Sequence, residues 1–324
     1  MRAFDRGLAI DQNQWLLWHG KGDSLDSLDC HREAIEAYGQ ALEINHKNVD
    51  AWFKKGWSLA CLNHYEEALA AYDEALKIDQ NYHKAWFMKG IALSELKRYE
   101  DAIQAYDRAL AIFQNFAIVW FSRGNALHVL GRNEDAIQAY DKALLIDPND
   151  VLAWSNKGNA LWNLGRHEEA IQACDRALAI DPKNAAAWSN KGNALFNLER
   201  YEEAIAVYDR AIAIDQNDGD TWSNKGSALC GLRRYEEAIN AFDQALAIDQ
   251  NNITAWNYKC LALYNLGHYK EAADAWSNQG DALFDLERYE EALQAYDRAL
   301  KIDANNRFAL RGRECAADAL KYAR

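Results

Sequence analysis

Hydrophobic positions along the chain form two helical stripes separated by a short polar break. In one instance Trp154, Leu161 and Leu164 fall on one face of a helix, at the rotation of about 100° per residue that an α-helix makes. A second stripe begins at Ala170, and an Asp-Pro pair ends it, since the residue before a proline is pushed out of the helical region. The pattern predicts two antiparallel helices joined by a short turn.

This pair of stripes recurs at a constant interval, which a series of equally spaced tryptophans marks. The series is Trp18, Trp52, Trp86, Trp120, Trp154, Trp188, Trp222 and Trp256. A globular core needs no fixed period, whereas a stacked array does, because each unit buries its apolar face against its neighbours. The period therefore predicts a solenoid of helix pairs.

The repeated unit resembles the tetratricopeptide repeat (TPR) family. The tryptophan, the glycine four residues later, the leucine seven residues later and a run such as Ala204, Tyr208 and Ala211 carry the resemblance, over about nine tenths of the chain. The resemblance implies an all-α, right-handed superhelix of about nine helix-turn-helix repeats. It also implies that residues of each first helix outside the apolar stripe line a concave surface, where the family binds other proteins.

Two places depart from the period. Residues 3–12 match residues 241–250, the latter half of a second helix, so we expect a fragment of a longer array or a start that packs on another chain. The interval from Trp256 to Trp276 falls short of the constant interval by a stretch that equals almost four helical turns. The apolar stripe thus stays nearly in phase and continues, which predicts one fused helix over residues 269–286 and a bend or interruption of the superhelix.

These features divide the chain into five parts. They are a partial repeat over residues 1–14, seven repeats over 15–252, a truncated eighth repeat over 253–272, a ninth repeat over 273–306 whose helix is fused to the eighth, and a capping helix over 307–324.

The composition limits the function classes. The net charge is −13 and no block of like charges occurs, so a nucleic-acid partner is disfavoured, because phosphate binding needs a basic face. The six cysteines lack metal-ligand spacing, no catalytic motif is present, and no apolar run is long enough to span a membrane. We expect a cytoplasmic protein that is not an enzyme and that binds no cofactor, metal, nucleic acid or membrane.

A basic residue stands three positions after each of the eight equally spaced tryptophans, as in Lys191. We expect the stem of each to lie on apolar surface and its charge to meet an aspartate of a second helix, such as Asp175. This feature is interpreted as structural.

The first candidate site lies in the N-terminal repeats. Counting each tryptophan as position zero, position +1 holds Phe53, Phe87 and Phe121, and position +5 holds Trp57 and Ile91. Exposed apolar side chains of this kind mark binding surfaces. The alternative is that they pack sideways between neighbouring first helices.

The second candidate site is a series of asparagines at positions +2 and +5 of the later repeats. Its members are Asn125, Asn156, Asn159, Asn190, Asn193 and Asn224, and Trp162 and Phe196 at position +8 would form its edge. The series is similar to the asparagine ladder in the repeat region of O-linked N-acetylglucosamine transferases, which grips extended protein substrates. An amide side chain offers both a donor and an acceptor to a peptide main chain. Recent duplication of a repeat would produce the same series without selection.

The sequence therefore predicts a non-catalytic scaffold that binds an extended peptide or a partner helix in a concave groove. A self-assembling module that associates end to end is one alternative. The regulatory repeat arm of a larger enzyme lying outside this chain is another.

Overall fold

The computed structural model describes residue 11 and residues 14–322. Within them the chain is all-α, with eighteen helices and no strand. The expected partial repeat over residues 1–14 lies outside the described residues, except for residues 11 and 14. The predicted all-α repeat fold is confirmed.

The helices follow one another with short turns between them. Their bounds are α1 Trp15–Asp26, α2 His31–Ile44, α3 Val49–Cys61, α4 Tyr65–Ile78, α5 His83–Glu95, α6 Tyr99–Ile112, α7 Ala117–Val129, α8 Asn133–Ile146, α9 Val151–Asn163, α10 His167–Ile180, α11 Ala185–Asn197, α12 Tyr201–Ile214, α13 Gly219–Gly231, α14 Tyr235–Ile248, α15 Ile253–Asn265, α16 Tyr269–Asp285, α17 Tyr289–Ile302 and α18 Arg307–Tyr322. The chain divides into two compact units between Ala160 and Leu161, and each is described by itself as unit 1 and unit 2.

In most of the described helix pairs, a glycine of the first helix packs closely against an aromatic ring of the second helix. In unit 2, a Cβ added at Gly192 would lie only 2.4 Å from Cε1 of Tyr208, a residue that is 1% exposed. The same contact joins Gly56 to Tyr72 in unit 1. The glycine is therefore required because the ring occupies the space of its missing side chain.

A residue in the left-handed region of φ follows shortly after the end of each first helix of a pair. Gly165 has a φ of 74° and Glu199 a φ of 58°. The Glu199 N–H donates to the Phe196 carbonyl at 2.9 Å, and the Arg200 N–H donates to the Leu195 carbonyl at 3.0 Å. These bonds satisfy carbonyls that the end of the helix would leave unpaired, and they turn the chain back towards the second helix.

The basic residue at position +3 joins neighbouring repeats, as expected. Lys191 Nζ lies 5.8 Å from the centroid of the Trp188 ring and 2.6 Å from Oδ1 of Asp175 on the preceding second helix. The same ion pair joins Lys89 to Asp73, Arg123 to Asp107, Lys157 to Asp141, Lys225 to Asp209 and Lys259 to Asp243. The predicted pairing is thus confirmed, and the tryptophan ring adds a cation–π contact to it.

The predicted fused helix is also confirmed. Helix α16 runs from Tyr269 to Asp285 without a turn. Trp276 lies in one core cluster with Cys260, which replaces the usual glycine, and with Tyr296 of the following helix. One helix thus serves as the second helix of one repeat and the first helix of the next.

Candidate functional site

An apolar depression in unit 1 brings together residues from the first three repeats. Its volume is about 670 Å³. It is lined by Asp23, Asp26, Ser27, Tyr38, Phe53, Lys54, Trp57, Lys84, Phe87, Met88 and Phe116, and we call it the aromatic groove. Three residues that the sequence assigns to binding, Phe53, Trp57 and Phe87, therefore lie in one place.

The phenylalanines at position +1 pack on the protein as well as facing the groove. The Phe53 ring lies 6.0 Å from that of Tyr72 and 5.3 Å from that of Tyr82, measured between centroids. Trp57 is different, because 37% of its surface is exposed and its ring meets only the edge of the His31 ring among the described aromatic contacts. Trp57 is therefore the most accessible of the predicted aromatic residues.

Two predicted residues lie outside the aromatic groove. Phe121 is half-buried and its ring centroid lies 6.1 Å from that of Tyr140, on the second helix of the same repeat. Ile91 is half-buried and is not part of the groove lining.

Charged groups at the floor of the aromatic groove are paired with one another. Lys54 Nζ lies 2.8 Å from Oδ1 of Asp23 and 3.1 Å from Oδ2 of Asp50. His19 Nε2, which lies 3.1 Å from Asp50 Oδ2, and Lys54 Nζ together hold the pKa of the Asp50 carboxyl well below its usual range. Burial and the hydrogen bond to Asp23 raise the pKa of the Tyr38 hydroxyl above its usual range. Because these charged groups are paired with one another, the apolar walls are the main surface of the aromatic groove that a ligand could contact.

The asparagines of the second candidate site bond to one another and to a buried tyrosine. In unit 2, the Tyr208 hydroxyl donates to Asn193 Oδ1 at 2.8 Å, and Asn224 Nδ2 donates to the same oxygen at 3.0 Å. In unit 1, Tyr140 and Asn156 make the same two bonds to Asn125 Oδ1, at 2.8 and 2.9 Å. The tyrosine belongs to the same repeat, and the second asparagine belongs to the next one.

A small recess in unit 2 contains four of the predicted residues. It has a volume of about 170 Å³ and is lined by Trp162, Asn193, Phe196, Asn197, Tyr208, Asn224, Ser227, Thr254 and Tyr258. We call it the amide cleft. A neighbouring recess of about 360 Å³ shares Asn193, Asn224 and Thr254 with it and adds Asn190. Asn159, in unit 1, is half-buried and lines neither recess.

The edge residues of the amide cleft are held in different ways. The Phe196 ring packs against Tyr201 at 5.5 Å between centroids. Trp162 Nε1 is buried and has no hydrogen-bond partner among the residues that the structure describes.

Sequence reasoning missed the residues two positions before each tryptophan. Ile118 and Leu152, in unit 1, are 44% and 56% exposed, and Thr254 lines the amide cleft in unit 2. A helix returns to the same face after three or four residues, so positions −2, +2 and +5 share a face. The helical period was therefore the signal that could have identified them.

No helix within residues 14–322 is long and apolar enough to cross a bilayer. No group of three or more histidine, cysteine, aspartate or glutamate side chains among the described residues is placed to hold a metal ion.

Comparison with known proteins identifies the repeat family that the chain matches. Two family models, both described as tetratricopeptide repeat, match residues 20–83, 62–115, 87–151, 121–185 and 156–219 in one case, and 219–252 and 273–306 in the other. The matched ranges take in well over half of the chain. No curated protein matches it.

Solved structures of repeat proteins are similar to this chain. YrrB, described as a TPR protein with an unusual peptide-binding site, is 27% identical over 57% of this chain and 95% of its own, with a TM-score of 0.52. MamA is 24% identical over 53% of this chain and 93% of its own, with a TM-score of 0.50. A tetratricopeptide repeat protein from Parabacteroides merdae is 17% identical over 78% and 99%, with a TM-score of 0.59. The likeness to the last two concerns the fold alone.

Proposed function

Because the chain belongs to the tetratricopeptide repeat family, we propose that it is a protein-interaction scaffold that binds an extended peptide or a partner helix along its first helices. The observation that carries the proposal is the aromatic groove of unit 1. Its walls contain Phe53 and Trp57 of α3, Phe87 and Met88 of α5, and Phe116 just before α7, around one volume of about 670 Å³.

The groove suits a peptide because apolar anchors in a concave site supply most of the free energy of binding. Large exposed apolar patches are uncommon on monomeric proteins, and they mark interaction surfaces. A few aromatic residues usually dominate the energy of an interface. Trp57, with 37% of its surface exposed, is the residue best placed to serve as such an anchor.

One similar structure supports the proposal independently. YrrB, at 27% identity, is described as having an unusual peptide-binding site. The likeness extends over 57% of this chain, so it favours peptide binding without assigning the residues that contact the peptide.

Peptide selection tests the proposal. Peptides would be selected from a phage-displayed random library against the whole chain, and their affinities would be measured by fluorescence anisotropy. Trp57→Ala and Met88→Ala are expected to weaken binding by at least about tenfold, because each removes an apolar wall of the groove.

The matched control is Leu145→Ala, which removes an apolar side chain that is 77% exposed in the same unit but outside the groove. Its affinity is expected to equal that of the wild type. Selected peptides that bind the Trp57→Ala and Met88→Ala variants as tightly as the wild type would show that the groove is not the binding site.

A further inference from the structure

The second helix of the first repeat, α2, lacks a charge that later second helices share. Six of those helices carry an aspartate at one equivalent position, and each aspartate pairs with the basic residue at position +3 of the next repeat, as Asp73 does with Lys89. In α2 this position holds Gly39. Lys55, the basic residue opposite it, therefore has no carboxylate partner among the described residues, and its Nζ lies 5.5 Å from the centroid of the Trp52 ring.

The packing of the described chain does not require a glycine at position 39. Gly39 lies inside α2, and its φ is not in the left-handed region. No atom lies within 4 Å of the place that a Cβ would take. Glycine inside a helix is less stable than alanine, and what it offers in return is close approach of another element to the backbone. The open space beside Gly39 therefore indicates a contact with something outside the described chain.

Gly39 and Lys55 line a recess between α2 and the first helices α1 and α3 of unit 1. Its volume is about 730 Å³, and we call it the Gly39 recess. Trp18, Leu25 and Ile35 give it apolar surface. It shares no residue with the aromatic groove, so it is a second and separate surface of unit 1.

Three exposed glutamates of α2, Glu33, Glu36 and Glu43, also line the Gly39 recess. In six later repeats the acidic residue equivalent to Glu33 pairs with an arginine just before the second helix, but Cys30 replaces that arginine here. Glu36 and Glu43 stand where the second helices from α4 to α14 carry uncharged or basic residues. None of the three glutamates forms an ion pair with a described residue. The first repeat thus differs from the later ones in one direction, towards unpaired charge.

The positions of these charges define a pattern for an occupant. Two helical turns, or about 10 Å along the axis, separate Glu36 from Glu43, and Gly39 lies between them. A partner helix packed along α2 at Gly39 meets the two glutamates with two basic side chains. It meets Lys55 with one carboxylate, three or four residues from each basic side chain.

We propose that the Gly39 recess binds an amphipathic helix of a partner protein that carries one carboxylate between two basic side chains. The carboxylate takes the place of the missing aspartate and pairs with Lys55, as Asp73 pairs with Lys89 in the next repeat. Gly39 lets the partner backbone approach α2 closely. This inference goes beyond the proposed function and does not depend on it, because the aromatic groove remains free for another partner.

Selection of helical peptides tests the proposal. The probe is a phage-displayed library of helical peptides with one randomised face, selected against the whole chain. Clones that also bind the Gly39→Asp variant are removed, because this aspartate fills the recess and pairs with Lys55 from within the chain. The remaining peptides are expected to carry an acidic residue with a basic residue three or four positions away on each side. Aspartate is the residue of the later repeats at this position, so Gly39→Asp is expected to fold, which circular dichroism checks.

Two substitutions measure the central ion pair. Lys55→Gln is expected to bind the selected peptides at least about tenfold more weakly, and the difference should become smaller in high salt. Replacing the acidic residue of the peptide with glutamine should weaken binding to the wild type by about tenfold and binding to Lys55→Gln by no more. The control is Gln104→Glu, which adds the same charge as Gly39→Asp at an exposed position of α6 outside the recess and is expected to bind as the wild type does.

Three results would overturn the inference. They are a selection in which no clone distinguishes the wild type from Gly39→Asp, selected peptides without the acidic residue, and an affinity that Lys55→Gln leaves unchanged. If Lys55→Gln fails to fold, the substituted peptide on the wild-type protein decides, and an unchanged affinity there would refute the inference. The proposed function is tested by Trp57→Ala and Met88→Ala with its own peptides, so either proposal can fail without the other.

Discussion

The close contact between Gly192 and Tyr208 predicts that two glycine-to-alanine substitutions change stability in opposite directions. A Cβ at Gly192 would lie 2.4, 2.6 and 2.8 Å from three atoms of the Tyr208 ring. Gly39, also inside a helix, has no atom within 4 Å of the position of a Cβ. The two sites therefore differ in the space around them and not in helical conformation.

The expected magnitudes follow from these distances. Alanine gains about 1 kcal/mol over glycine in a helix interior, because the unfolded chain loses less entropy on folding. Overpacking a core costs about 1–3 kcal/mol, and the upper end applies at Gly192 because Tyr208 is 1% exposed and its hydroxyl is bonded to Asn193. We expect Gly192→Ala to lose about 2 kcal/mol and Gly39→Ala to gain about 1 kcal/mol.

Urea unfolding followed by circular dichroism measures both variants against the wild type. A Gly192→Ala protein as stable as the wild type would refute the reasoning, because it would mean that the ring moves away without cost. Gly39→Ala provides the control for helix propensity, and a loss of stability there would show that propensity does not act as assumed.

Two further predictions concern charged groups. Lys191→Ala should lower the free energy of unfolding by about 1 kcal/mol, because it removes the Trp188 cation–π contact and the partly exposed ion pair with Asp175. This loss should become smaller in high salt, which screens the ion pair. Urea unfolding at two salt concentrations measures it, and a loss that salt leaves unchanged would count against the ion pair. The pKa of the Asp50 carboxyl is lowered by the nearby His19 and Lys54 side chains. Its contribution to stability is therefore present above its unfolded pKa of about 4 and is lost as the pH falls below that value. Asp50→Asn should therefore lose less stability than the wild type between about pH 5 and about pH 3, and identical pH profiles in urea unfolding would contradict the assignment.

The repeat architecture was predictable because it depends on spacing alone. A tryptophan at a constant interval and a glycine four positions later define the helix pairs, and the shortened interval before Trp276 defines the fused helix. Each prediction needed only the helical period and the rule that repeats bury their faces on each other.

The details of the candidate site were less accessible from the sequence. The hydroxyl of Tyr208 reaches Asn193 across 15 residues, and Asn224 reaches it across 31 residues, so the bonds depend on how two helix pairs approach each other. The sequence shows which residues recur, but the direction of an amide depends on its neighbours in space. The packing of Phe121 on Tyr140 is a similar case, since the exposure of Phe121 depends on how the second helix of its repeat packs.

Helix α16 gives the C-terminal repeats a different thermal behaviour from the rest of unit 2. In an ordinary array each repeat can open on its own, since only its interfaces with two neighbours are lost. Trp276 contributes to the packing of Cys260 on one side and of Tyr296 on the other, within a single helix. Unfolding of either repeat would unfold α16 and remove the packing contacts of the other repeat. These two repeats therefore unfold together as one cooperative unit.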